Sequence, residues 1–269
     1  MDTKTTLEVI RCADADDLAI LVDIITDSGK GRISLAQSTC DLLHKARTDA
    51  PETLHHFAEN ITQEVELFGG NSIANVWRGG KGVPYSEVLR DVADQQKVNY
   101  NKETADEEIE IQVLLKILEK SMEKMTPAER DELMRELSGG TLNMYAPATM
   151  VALIGMVKLG GFASYRIALV VANTLARQIT GKGLKLAVNA SITRLIGGFA
   201  GPIGWALSGL WAAYDIASPA YRVTVPAVVM IAYMRQKQLS ASMKICGECH
   251  EPIVGQAKFC GECGAKVDE

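Results

Sequence analysis

Four cysteines near the end of the 269-residue chain stand in two C-x-x-C pairs, Cys246 with Cys249 and Cys260 with Cys263, ten residues apart. Two such pairs in one short segment can converge into a closed tetrahedral thiolate site, the ligand set of a structural Zn2+. Gly247, Gly261 and Gly264 flank the pairs and let the backbone turn its N–H groups toward thiolate sulfurs. A rubredoxin-like iron site uses the same four ligands, so the ligand set by itself leaves zinc and iron both open. The opening MDTKTTLEVI has no basic stretch followed by an apolar core, so no leader is expected and the thiols are expected to stay reduced in the cytoplasm. His250, beside Cys249, reads as a solvated histidine, because four cysteines already complete the site.

A closed site leaves no coordination position for a substrate, so the metal is expected to fold a ribbon rather than to catalyse. A segment as short as 241–269 buries little core of its own, and a structural zinc supplies on the order of 10 kcal/mol toward folding it. A second candidate is the glycine-rich stretch 69–85, where Asn71, Asn75, Arg78 and Lys81 lie near Tyr85 between Gly69, Gly70, Gly79, Gly80 and Gly82. Such a loop could bind an anionic group or a partner; a plain helix-joining connection is the competing reading.

Other residues of catalytic type lack companions. Cys40 and His44 share a helix face at i and i+4 but have no third ligand, and read as a buried thiol and a surface histidine. His55 and His56 cannot face the same side of a helix. Thr180-Gly181-Lys182-Gly183 resembles the end of a phosphate loop, but Ala176 stands where its first glycine belongs, so a helix terminator is expected there. Gly198-x-x-Gly201-x-x-Gly204 follows no strand, and Ser121-x-x-Lys124 sits alone on an amphipathic helix. An enzyme is therefore unsupported by motif.

The elements that position these residues read as helices. Asp14 and Asp16 precede Leu18, Leu21, Val22 and Ile25, with Gly29 as a stop, and a second helix follows Pro51 through Leu54, Phe57, Ala58, Ile61, Val65 and Phe68. Residues 104–125 place Ile111, Leu114, Leu115, Leu118, Met122 and Met125 on one face. Thr126-Pro127-Ala128-Glu129 spells a capping box, with the following helix ending near Ser138. The acid runs at 14–17 and 106–110 read as helix-initial carboxylates favoured by the macrodipole.

Charge divides the chain. Residues 1–145 hold 16 basic and 27 acidic side chains, whereas 146–240 hold nine basic residues and one acid, Asp215. Opposite signs imply either that the halves pack together or that the second meets an anionic lipid surface. Nucleic acid is not expected, because these basic residues stand singly in apolar sequence. Residues 195–214 carry no charge and contain five glycines, Gly197, Gly198, Gly201, Gly204 and Gly209, together with Pro202. The length would just span a bilayer, and the glycines would let helix backbones approach closely. A soluble helical core is the first reading and membrane contact the second. Pro226 is expected to interrupt helix near residues 221–226, where Arg222 is the expected partner of an acid in the first half.

Two blocks carry a resemblance: FGGNSIANVWRGGKGVPYSEVLRDV at 68–92, and GPIGWALSG at 201–209 followed by SPAYRVTVPAVVMIAYMR at 218–235. In order, over most of residues 10–237, the chain resembles the YaaW-like family of uncharacterised bacterial proteins. The resemblance implies a cytoplasmic helical protein, and parts of the family have been compared with the ubiquinol-cytochrome c chaperone domain, a helical assembly factor. It supplies no reaction to carry onto these residues. The cysteine ribbon follows the resembling part and looks like an appended module.

The expected architecture is all-α: an acidic helical region at 1–145, an apolar, basic, glycine-rich helical region at 146–240 packed on it, and a small zinc ribbon at 241–269. The expected role is a non-enzymatic interaction or assembly protein whose partner is another protein. The alternatives are a membrane-associating protein using 195–214, peripheral to the inner membrane, and an enzyme using the 69–85 loop.

Overall fold

The computed structural model describes residues 4–26, 37–69, 82–138, 149–158, 163–185, 200–217, 221–241, 244–248, 252–253, 258–259 and 264–266. Within them the chain is overwhelmingly helical. Helices α1 (Thr6–Arg11), α2 (Ala15–Ile25) and α3 (Gln37–Asp49) lead through a 3₁₀ segment, Pro51–Phe57, into α4 (Ala58–Gly69). After them come α5 (Tyr85–Gln96), α6 (Asp106–Met122), α7 (Pro127–Leu137), α8 (Met150–Lys158), α9 (Ala163–Thr180), α10 (Ala200–Ala217) and α11 (Tyr221–Ala241).

Local sequence explains several ends. Thr126 caps α7 by accepting from the Glu129 N–H while the Glu129 carboxylate accepts from the Thr126 N–H, the reciprocal pairing the sequence spells. Thr5 and Glu8 do the same for α1. Gly181, at φ +73°, follows α9 as a terminator, which disposes of the phosphate-loop likeness of 180–183. The helix expected after Pro51 begins instead as a 3₁₀ segment and becomes α-helical at Ala58.

Helix α11 is the centre of the fold. It packs against α1, α2, α4, α5, α6, α9 and α10, and every residue from Thr224 to Gln236 is buried. A helix apolar on all sides must be enclosed by others, and VTVPAVVMIAYM is such a sequence. The helix runs straight through Pro226, against the expectation of an interruption. The proline lies in its second turn, where it removes one hydrogen bond while its ring gains full burial.

The glycines of the second half divide by role. A Cβ at Gly204 would stand 3.0 Å from Gln178 Nε2 and 3.6 Å from Thr174 Cγ2, so this glycine seats α10 closely on α9. Gln178 donates to the Gly204 carbonyl at 2.7 Å across the same crossing. Gly201 and Gly209 face open space, and Gly197 and Gly198 lie outside the described residues.

Beyond α11, strands β1 (Lys244–Ile245) and β2 (Pro252–Ile253) pair antiparallel, Lys244 opposite Ile253 and Ile245 opposite Pro252. Phe259 and Lys266 form a second antiparallel bridge. Among the described residues no helix is long and apolar enough to cross a membrane.

Candidate functional site

The last turns of α11 carry the densest chemistry in the described structure. Arg235, 4% exposed, meets Glu110 of α6, 0% exposed, in a two-pronged pair: Nε donates to Oε2 at 2.7 Å and Nη2 to Oε1 at 3.1 Å. The third face of the guanidinium donates from Nη1 to the Lys4 carbonyl. Tyr85, the first residue of α5, donates its hydroxyl to Glu110 Oε1 at 2.9 Å. Three helices distant in sequence are thereby tied at one buried point.

Burial pushes the Glu110 carboxyl up from its ordinary value, against the opposing pull of Arg235 and the Tyr85 hydrogen bond. The Tyr85 phenol is also driven up, first by burial and then by the neighbouring Glu110 charge. Arg235 stays protonated, held by that same carboxylate against its own desolvation. Each polar atom of the pair has a partner, which is what an ion pair needs to survive in a core.

One half-turn further, Lys237 Nζ donates to Asp14 Oδ2 and Asp17 Oδ2, both at 2.6 Å. Asp17 is 1% exposed, and its carboxyl is raised by burial despite the lysine. Asp17 Oδ1 has no hydrogen-bond partner among the described residues. Gln238 donates to the Val9 carbonyl at 2.8 Å and accepts from Lys4 Nζ at 3.0 Å. Lys185 adds a surface pair with Asp16 at 2.8 Å. The acid run at 14–17 therefore does more than begin a helix: Asp14, Asp16 and Asp17 each take a lysine from the basic second half. Glu110 likewise was read as a helix-initial carboxylate, and the structure makes it the buried anchor of Arg235.

Arg235, which makes the buried pair, stands thirteen residues beyond Arg222, the arginine expected from sequence to meet an acid of the first half. The signal was present in sequence, since Arg235 ends a run with no other charge back to Arg222. Glu110 gave one too, with Leu114, Ile117 and Ser121 following on its own face, all of them buried.

Of the loop residues proposed from sequence, Asn71, Asn75, Arg78 and Lys81 lie outside the described residues, and Tyr85 is 3% exposed with its hydroxyl committed to Glu110. The two ends of that loop are pinned. A Cβ on Gly82 would fall 2.3 Å from the Glu66 carbonyl carbon, and one on Gly69 would fall 2.3 Å from Val88 Cγ2. The Val83 N–H donates to the Glu66 carbonyl at 3.2 Å. These glycines serve close approach rather than flexibility.

Of the four expected metal ligands, Cys246 is described: it directly follows β1, is 4% exposed, and packs with Ile253 and Ala265. Cys249, Cys260 and Cys263 lie outside the described residues. The flanking backbone is still informative. Cys246 and Cys249 fall between β1 and β2, and Cys260 and Cys263 fall between the bridged Phe259 and Lys266, with Gly264 at φ +73°. Elsewhere, Cys40 is a buried thiol 4.0 Å from Glu64 Oε2, and His44, His55 and His56 are exposed.

Fold and site together define an overwhelmingly helical protein whose enclosed final helix is locked by a buried ion pair. Comparison with known proteins adds the family. The chain is 40% identical over 238 residues to a UPF0174 protein of Helicobacter pylori strain J99, covering 88% of this chain and 92% of that protein. It is 40% identical over 186 residues to a UPF0174 protein of Helicobacter pylori strain ATCC 700392, covering 88% of it. It is 28% identical over 233 residues to the UPF0174 protein YaaW of Escherichia coli K12, covering 93% of that protein. The chain belongs to the UPF0174 family, as its resemblance to YaaW-like proteins implied. No family model matches it, and no solved structure does.

Proposed function

We propose that this protein is a non-enzymatic interaction or assembly factor, in which a rigid helical body presents a structural zinc ribbon that attaches it to another protein. The observation that carries the reading is the clamp at the end of α11. Arg235, Lys237 and Gln238 tie the final turns of this helix to α1, α2 and α6, and β1 begins a few residues later. A ribbon held by so firmly anchored a helix transmits its binding to the body instead of swinging from a frayed terminus.

The spacing of the two C-x-x-C pairs supports zinc as the ribbon's cofactor, with Cys246, Cys249, Cys260 and Cys263 as its ligands. Zinc there would supply folding energy to a segment with little core of its own. Thiolate ligands call for a reducing compartment, hence the cytoplasm. The likeness drawn between parts of this family and the ubiquinol-cytochrome c chaperone domain favours assembly over catalysis.

The test compares the full chain with its Cys246→Ser/Cys263→Ser variant. Elemental analysis is expected to find about one zinc per wild-type chain and none in the variant. Affinity capture is expected to retain a protein with the wild type that the variant loses, while the helical signal of the body is unchanged. Zinc-free reduced wild type, or identical captured sets, would refute the reading.

A further inference from the structure

The ribbon leaves one surface of the body unexplained. Helix α10 buries Ile203, Ala206 and Leu207 against α6 and α9, and turns Gly201, Trp205, Ser208 and Gly209 outward. Trp205 is 51% exposed, a large apolar side chain in water. Residues 200–214 contain no charged side chain, so this face offers a partner nothing to pair with ionically. Helix α8 rests on the same two helices, and its Val151 and Ile154 are 79% and 40% exposed.

Lys124 borders the tryptophan, and further lysines precede it in the chain. Lys116 and Lys120 stand at i and i+4 on α6, Lys120 donating to Gln96 Oε1 at 2.9 Å, and Lys124 lies two residues past the end of that helix, exposed. Lys124 Nζ stands 4.4 Å above the Trp205 ring. Lys97, exposed at the end of α5, lies close enough to act electrostatically on Lys120. Glu119 and Glu123 stand among these lysines, and Glu119 pairs with Lys116.

We infer that the outward face of α10, centred on Trp205 and edged by Lys124, docks on an anionic lipid surface, lying in the headgroup region without crossing it. Charge complementarity selects lipid over other occupants: an uncharged face at the centre and a lysine ammonium at its margin match acyl boundary and anionic headgroups respectively. Tryptophan suits that boundary because its ring is apolar and its N–H polar. The long lysine stems let the charge reach headgroups while methylenes stay low. No described helix is long and apolar enough to cross, so the contact is peripheral.

The full chain is mixed with vesicles of phosphatidylglycerol and phosphatidylcholine at low salt, and with pure phosphatidylcholine vesicles as the comparison, then sedimented. Binding is expected to the anionic vesicles, weakening as salt rises. Trp205→Ala should lower the partition coefficient about ten-fold or more, and Lys124→Glu at least about five-fold. Both sites are exposed, so thermal melts should match the wild type. Quenching of tryptophan fluorescence by brominated lipid should fall sharply in Trp205→Phe. Retention of the wild type in the supernatant, or equal pelleting of all variants, overturns the inference. A dimer seen by light scattering and broken by Trp205→Ala would also overturn it, by naming a second copy as the occupant. Both variants keep the cysteines, so the outcome is separate from that of the ribbon.

Discussion

Arg235→Met is the sharpest probe of the fold. The substitution keeps much of the side-chain volume but removes the positive charge paired with Glu110, whose exposure is 0%. Breaking a buried pair from one side costs about 3–5 kcal/mol, because the remaining charge is left in a low-dielectric core. For a domain of this size that corresponds to a fall in Tm of roughly 10 °C. Glu110→Met should cost a similar amount, since it strands the guanidinium. The double variant Glu110→Met/Arg235→Met should lie within about 1–2 kcal/mol of wild type, leaving a coupling of at least about 3 kcal/mol.

The single variant also carries a pH signature. Burial already raises the Glu110 carboxyl, and Arg235 is the chief opposing influence. Without it the folded-state pKa climbs further above the unfolded value near 4.3. A carboxyl raised on folding binds its proton more tightly when folded, so the stability of Arg235→Met should rise as pH falls from 7 toward about 4.5. Urea denaturation of the four proteins across that range measures it. Additive single-variant losses, or an Arg235→Met deficit that does not shrink on acidification, would refute the buried-pair account.

Lys237→Met should behave similarly at Asp17, whose burial-raised carboxyl would lose the ammonium: a loss of about 3 kcal/mol at neutral pH, smaller at pH 5, read by thermal melts. Thr126→Ala should cost about 1 kcal/mol by removing one side of the α7 capping box, measured by denaturant midpoint. Gly82→Ala should cost about 1–3 kcal/mol, since its Cβ would meet the α4 backbone at Glu66; a neutral result would mean that the two loop ends are not pinned. Chelation should remove the metal and melt the ribbon while the thermal transition of the body persists, checked by elemental analysis beside circular dichroism.

Helical periodicity and capping chemistry are local, and they were legible residue by residue. The stripe from Ile111 to Met125 and the box Thr126/Glu129 appear in the structure as expected from sequence. Cys40 and the histidines needed only the absence of companions. The direction of pairing between basic and acidic halves was legible as charge balance, but its residues were not. Composition counts charges without saying which become neighbours, so the buried Arg235–Glu110 pair was not foreseen. Pro226 misled for a similar reason: local propensity disfavours helix there, while enclosure by seven helices outweighs one lost hydrogen bond.

What the amino-acid sequence determined by itself was the helical class, the caps, the family blocks and the four-cysteine pattern, each set by spacings within a few residues. Tertiary structure alone decided that Glu110 is an anchor rather than a helix-initial carboxylate, and that Tyr85 belongs to that anchor rather than to a loop site. It also decided that Gly69 and Gly82 seat a close contact, and that Trp205 faces outward beside Lys124. These are facts about which distant segments meet, and burial and electrostatics act on neighbours in space, whatever their separation along the chain.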